Sequence, residues 1–179
     1  ESLNTNMRTA EIAPSPASSA KGSLQADTDN DDDGGTVEKY LDLLEKVFVV
    51  FRLGAFARNL RKEVTKAGKW YFYDNGIRNA IIGNFSPLAI RQDTGALWEN
   101  YLIGERRKAN FNEGQHKEFY FWRTYDKQEI DLIEEYSENL TALEIKWGNK
   151  IPTLPKIFQE AYPHAKYHVI NRDNYQEFI

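Results

Sequence analysis

The stretch Glu129 to Trp147, EIDLIEEYSENLTALEIKW, decides how the rest of the chain is read. Two apolar, β-branched runs flank a Tyr-Ser-Glu-Asn segment of turn-forming residues, the pattern of a β-hairpin. Each run carries an interruption: Asp131 in the first, Glu144 and Lys146 in the second. An ionised carboxylate in a core strand is unfavourable unless something pairs with it. With the turn at Tyr136–Asn139, Glu135 is expected opposite Leu140, Asp131 opposite Glu144 and Glu129 opposite Lys146. Simple alternation puts Asp131 on one face with Glu129 and Ile133. Two carboxylates facing each other across a strand pair repel. A hard cation between them, such as Mg²⁺ or Mn²⁺, would remove that repulsion and leave room for water and phosphate oxygens. The Ile145 carbonyl is a candidate third ligand beside Asp131 and Glu144, and Lys146 is placed to act on an attacking water or a phosphate. The alternative on spacing alone is an ordinary Glu129–Lys146 ion pair on a solvated sheet face.

Composition sets outer bounds. The chain has 179 residues, 41% of them hydrophobic, with ten Phe, ten Tyr and four Trp, enough for one cored domain. A net charge of −4 argues against a global basic field, so any nucleic-acid surface has to be local. The absence of cysteine excludes disulfides and thiolate metal sites and fits a cytoplasmic location. No apolar run approaches the roughly 18 residues of a membrane span, and no signal-peptide pattern opens the chain. Starting at Glu1 rather than Met, the chain reads as a fragment. No G-x-x-x-x-G-K-[ST] occurs, since Gly68-Lys69 lacks both the earlier Gly and the hydroxyl residue, so no P-loop ATPase activity is expected.

Three segments follow from texture. Residues 1–35 read as a disordered, acidic, low-complexity tail; Asp29 to Gly34 imitates the opening of an EF-hand, but Tyr40 stands where the bidentate Glu belongs. Residues 36–90 begin with a helix capped by Thr36, with Val37, Tyr40, Leu41, Leu44 and Phe48 at helical spacing. A strand at VFVVFRL, an aromatic strand from Lys69 to Asp74 and a turn at Asn75-Gly76 complete a partial winged-helix-like segment. Residues 91–179 give a helix over Asp93–Asn110, strands at EFYFWRT, EIDLIEE and TALEIKW, a helix over Pro152–Ala161 and a strand at Tyr167–Ile170. The fold class is therefore α+β, with an α/β-like order of helix, three strands, helix, strand.

An acidic residue on one strand followed by Glu-X-Lys on the next, in this element order, resembles the PD-(D/E)XK nuclease superfamily. The resemblance implies a restriction-endonuclease-like core, with Asp131 and then Glu144-Ile145-Lys146 as the signature. Glu99 in GALWENYL stands where many members carry an accessory carboxylate; Glu105 is a weaker candidate, and Gln159 and Tyr162 faintly match a Gln–Tyr motif of RecB-like members. The blocks YLDLLEKVFVVFRL, NLRKEV, KWYFYDNGIRNAI, GALWENYLIGE, FWRTYDKQEIDLI and ALEIKW are similar, in order, to the nuclease-like domain found C-terminal to the ATPase module of many bacterial and archaeal AAA+ ATP-binding proteins. There Arg123 and Glu129 also belong to the pattern. What this implies is the fold, a DNA-linked role and a divalent metal, with an ATPase module as customary partner. The leading expectation, argued from the site, is Mg²⁺- or Mn²⁺-dependent hydrolysis of DNA by Asp131, Glu144, Lys146 and Glu99. The rival expectation is a non-catalytic DNA- or protein-binding accessory module of such an ATPase. Arg61, Lys62, Arg106, Arg107 and Lys108 are candidate phosphate contacts, or else a solvated basic face.

Overall fold

The computed structural model describes residues 34–58, 63–65 and 67–179. The expected tail, and the candidate contacts Arg61 and Lys62, lie outside the described residues. Four helices and six strands follow in the order α1 (Gly34–Lys46), β1 (Val50–Ala55), β2 (Gly68–Phe72), α2 (Asn75–Ile81), α3 (Thr94–Asn112), β3 (Glu118–Arg123), β4 (Glu129–Tyr136), β5 (Asn139–Ile145), α4 (Lys156–Ala161) and β6 (Lys166–Ile170). The fold is α+β, built on one mixed sheet in the order β2-β1-β3-β4-β5-β6. β1 runs parallel to β3 and β5 parallel to β6, while the other neighbours are antiparallel.

Successive strand residues face opposite sides, and two cores result. Leu102 and Ile103 of α3 pack with Phe51, Leu53, Tyr71, Phe121, Leu132, Leu143 and Ile145 on one face. Phe158 of α4 packs with Phe56, Trp122, Ile130, Ile133 and Ala142 on the other. Burial on both sides explains why the central strands read as nearly continuous apolar runs.

The wing expected in residues 36–90 is not separate. β1 and β2 pair with each other and β1 docks on β3, extending the main sheet. Val50, Phe51, Leu53, Trp70 and Tyr71 are all buried there, more apolar surface than a solvent-facing wing presents. The turn expected at Asn75-Gly76 is instead the start of α2. The Asp74 carboxylate accepts from the amides of Gly76 (2.5 Å) and Ile77 (3.3 Å), capping a helix where a hairpin turn was expected. Likewise Thr36 lies inside α1 rather than capping it, and Val37, Tyr40, Leu44 and Phe48 are exposed. α4 begins only after Pro155, whose ring suits the first position of a helix and not its interior.

The central hairpin matches the expected register. Glu135 pairs with Leu140 and the ladder runs to Leu132 opposite Leu143. Ser137 and Glu138 both take positive φ (47° and 68°), a two-residue turn whose twist suits the flanking strands. Among the described residues no helix is long and apolar enough to cross a membrane.

Candidate active site

The ladder between β4 and β5 stops one residue short of Asp131 and Glu144, so these two stand where the strands separate. A bulge against β3 causes the change. Tyr120 pairs with Ile133 but Trp122 pairs with Ile130, leaving Asp131 and Leu132 both opposite Phe121. A bulge adds one residue to a strand and re-aims its side chains. Ile130 and Ile133 consequently share a face despite their odd spacing, so the parity argument that grouped Asp131 with Ile133 fails here, while Asp131 and Glu129 both stay beside Lys69. Asp131 turns toward β5, where its Oδ2 accepts the Ile145 amide at 2.8 Å. The expected Glu129–Lys146 pair is accordingly absent from the ion pairs of the described residues: Glu129 contacts Lys69 and lies 3.7 Å from Arg123.

Lys146 lies just past the end of β5, tied to β6 by its amide on the Ile170 carbonyl (2.9 Å). Its Nζ is 2.5 Å from Glu144 Oε1 and 3.6 Å from Asp131 Oδ2. One ammonium therefore touches both carboxylates of the expected ligand pair. Glu99 reaches the same cluster from α3 but is held from the β2 side: Tyr71 donates its hydroxyl to Glu99 Oε1 (2.6 Å), and Lys69 Nζ is 3.3 Å from the same oxygen. Lys69 is buried, contacts Glu129 as well, and lies 5.5 Å from the centroid of the Phe121 ring. The cluster thus holds four carboxylates, Glu99, Glu129, Asp131 and Glu144, against three cations, Lys69, Arg123 and Lys146.

The charge excess falls on Asp131. Burial, then the neighbouring charges of Glu99 and Glu144, push its carboxyl up to about 7, against the opposing pull of Lys69 and Lys146. Burial alone would lower the Lys146 ammonium, but Asp131 and Glu144 outweigh it and the net shift is upward. Because a free aspartate titrates near 4, the native state keeps a proton that the unfolded chain releases between about pH 4 and 7. The stability from that proton is full below about pH 4 and lost as pH rises to about 7. Asp131→Asn keeps an acceptor for the Ile145 amide without the buried charge. It is expected to raise metal-free stability at pH 8 by roughly 2–4 kcal/mol, and by little at pH 4. Urea unfolding at the two pH values checks this.

Lys69 and Tyr71 were not among the candidates read from the sequence. The available signal was KWYFYD itself: alternation puts Lys69 and Tyr71 on one face of an otherwise aromatic strand, and a lysine in that setting needs a carboxylate partner. The other candidates lie elsewhere. Glu105 pairs with Lys108 at 2.7 Å on the surface of α3. Arg106 is engaged by buried Glu134 (2.6 Å) and by the Phe178 carbonyl (2.6 Å). The Arg107 guanidinium sits 4.9 Å from the centroid of the Phe51 ring, and Lys108 is exposed. Gln159 is exposed, while Tyr162 donates to the buried Glu63 (2.7 Å) and packs in the α4-side core.

The donor set suits a hard cation only in part. Among the described residues no group of three or more His, Cys, Asp or Glu side chains converges to hold a metal. Two carboxylates with a shared ammonium do converge, and Mg²⁺ is commonly bound by one or two carboxylates completed by water and phosphate. Asp131 and Glu144 are thus the donors that would fit a single, partly hydrated cation, at the place Lys146 Nζ occupies.

Residues 94–178 match a domain of unknown function, DUF4143, and residues 20–88 match another, DUF8612. Lys69 and Tyr71 come from the second match and the remaining cluster residues from the first, yet all share one sheet and one ion cluster. The chain is 31% identical over 113 residues to "uncharacterized protein Rv2008c" of Mycobacterium tuberculosis and to "uncharacterized protein Mb2031c" of Mycobacterium bovis. Each alignment covers 62% of this chain and 25% of the relative, so the chain spans about a quarter of the length of these proteins. No solved structure matches significantly.

Proposed function

We propose that residues 91–179, completed by β1 and β2, are a restriction-endonuclease-like core of the PD-(D/E)XK kind. In this reading the domain hydrolyses DNA phosphodiesters with Mg²⁺ or Mn²⁺. The observation that carries the reading is the single ammonium of Lys146 lying against both Asp131 and Glu144 at the bulged, splayed end of β4 and β5. A bound cation would lower the pKa of its water and stabilise charge on the phosphate. Asp131 and Glu144 would hold it, with the Ile145 carbonyl as a further oxygen, and Glu99 would act through water. Displaced from the carboxylates, Lys146 is free to orient the attacking water or to meet the phosphate. The preceding resemblance supports DNA as substrate and an ATPase module as partner; among the described candidate phosphate contacts Lys108 is the exposed one, with Glu105 as its ion-pair partner. The same resemblance, with a cysteine-free chain, supports a cytoplasmic location.

The rival reading, a non-catalytic DNA- or protein-binding module, draws on a different observation: three cations already neutralise most of the cluster. Incubating linear, single-stranded and branched DNA with protein and Mg²⁺ or Mn²⁺ separates the two. Cleavage is expected from the wild type and not from Glu144→Gln. Equal cleavage by that variant means contamination, and no cleavage of any substrate favours the binding module.

A further inference from the structure

Four carboxylates around a nuclease-like site would ordinarily invite two divalent ions, one on each pair. Glu99 and Glu129, however, already share a cation. Lys69 Nζ lies 3.3 Å from Glu99 and contacts Glu129, and the lysine is buried on β2 beneath α3. Two further groups hold the same pair in place: the Tyr71 hydroxyl on Glu99 (2.6 Å) and the Arg123 guanidinium near Glu129 (3.7 Å). The two lysines are placed differently. Lys146 follows the end of its strand and its side chain is about a third exposed (35%), so it can swing out; Lys69 sits inside a strand, its side chain 8% exposed, with no comparable exit.

We propose that Lys69 is a resident cation that permanently fills the Glu99–Glu129 half of the cluster, so that the site takes one divalent ion and not two. The inference rests on the reading of Asp131 and Glu144 as a cation site. Lys69 is a positioning residue: it holds Glu99 at the edge of the site as a water-bridging acceptor and denies it to a second metal. A strand lysine thereby keeps one positive charge against Glu99 and Glu129 at all times, the two carboxylates offsetting the cost of its burial.

Counting bound Mn²⁺ by the loss of its free-ion paramagnetic resonance signal, with Mg²⁺ calorimetry as a second readout, tests this without reference to activity. One ion per wild-type chain is expected. Glu129→Gln should change Mn²⁺ affinity by less than about twofold, whereas Glu144→Gln should weaken it at least about tenfold by removing a ligand charge. Lys69→Met should admit a second, weaker ion, giving two per chain; if that variant does not fold, the wild-type count and the Glu129→Gln comparison still decide. Two ions on the wild type, or a tenfold loss on Glu129→Gln, would overturn the role of Lys69 while sparing the Asp131–Glu144 site. No ion on the wild type would overturn that site itself, and this inference with it.

Discussion

Lys146→Met is expected to bind Mn²⁺ more tightly and to cut DNA more slowly than the wild type. The opposite signs follow from where the ammonium sits. At 2.5 Å from Glu144 and 3.6 Å from Asp131 it occupies the place a divalent ion would take, so every binding event has to displace it. Removing it leaves the two carboxylates without a local counter-ion, and affinity should rise about tenfold. The same lysine is the group available to orient the water and meet the phosphate, so the single-turnover rate should fall by about 10²–10⁴. Methionine keeps much of the stem's packing. Calorimetry and single-turnover cleavage on one preparation read both quantities. Weaker metal binding by Lys146→Met would mean that the lysine supports the cation site rather than competing for it.

Arg106→Ala should be the most damaging change on the polar surface of α3. Glu134 is 5% exposed, and the Arg106 guanidinium meets it with two bonds, 2.6 and 3.0 Å, while also donating to the Phe178 carbonyl. The guanidinium further stacks 4.8 Å from the centroid of the Phe178 ring, which fastens the C-terminal segment to the sheet. Truncation strands a buried carboxylate with only Lys117, 3.5 Å away, as a cation. A loss of about 3 kcal/mol in urea unfolding is expected. Replacing both partners with apolar residues, Arg106→Met with Glu134→Leu, should recover most of it, because neither charge is then left unpaired. A double variant as unstable as the single one would show that the Phe178 contacts, not the ion pair, carry the effect.

These two lysine and arginine cases show where the sequence was legible. Asp131, Glu144 and Lys146 could be placed together because a two-residue turn fixes hairpin register, and register carries outward along both strands from the turn. Counting failed one step further on. The bulge opposite Phe121 leaves no mark in the apolar pattern, since Ile130, Leu132 and Ile133 are equally apolar whichever face they take. The expected Glu129–Lys146 pairing therefore gives way to Glu129 on Lys69. Arg106 looked like a free cation because its partner Glu134 lies 28 residues away on another element. Lys69 was invisible for the same reason: its partners, Glu99 and Glu129, are 30 and 60 positions distant, and only the closed sheet brings them together. The helix α2 was missed locally, because Asn75-Gly76 signals a hairpin turn as strongly as the Asp74 before it signals a cap.

The measurement that bears most directly on the central claim is thermal unfolding with and without 5 to 10 mM-scale Mg²⁺ or Mn²⁺, at pH 8, for the wild type and Glu144→Gln. A divalent ion bound to the native state alone raises stability in proportion to ln(1 + [M]/Kd). The wild type is expected to melt at a higher temperature in metal, with the increase growing from pH 6 to pH 8 as Asp131 loses its proton. Glu144→Gln is expected to show a much smaller metal-dependent shift. A wild type indifferent to both ions, or a Glu144→Gln protein that responds as strongly, would contradict a cation site on Asp131 and Glu144.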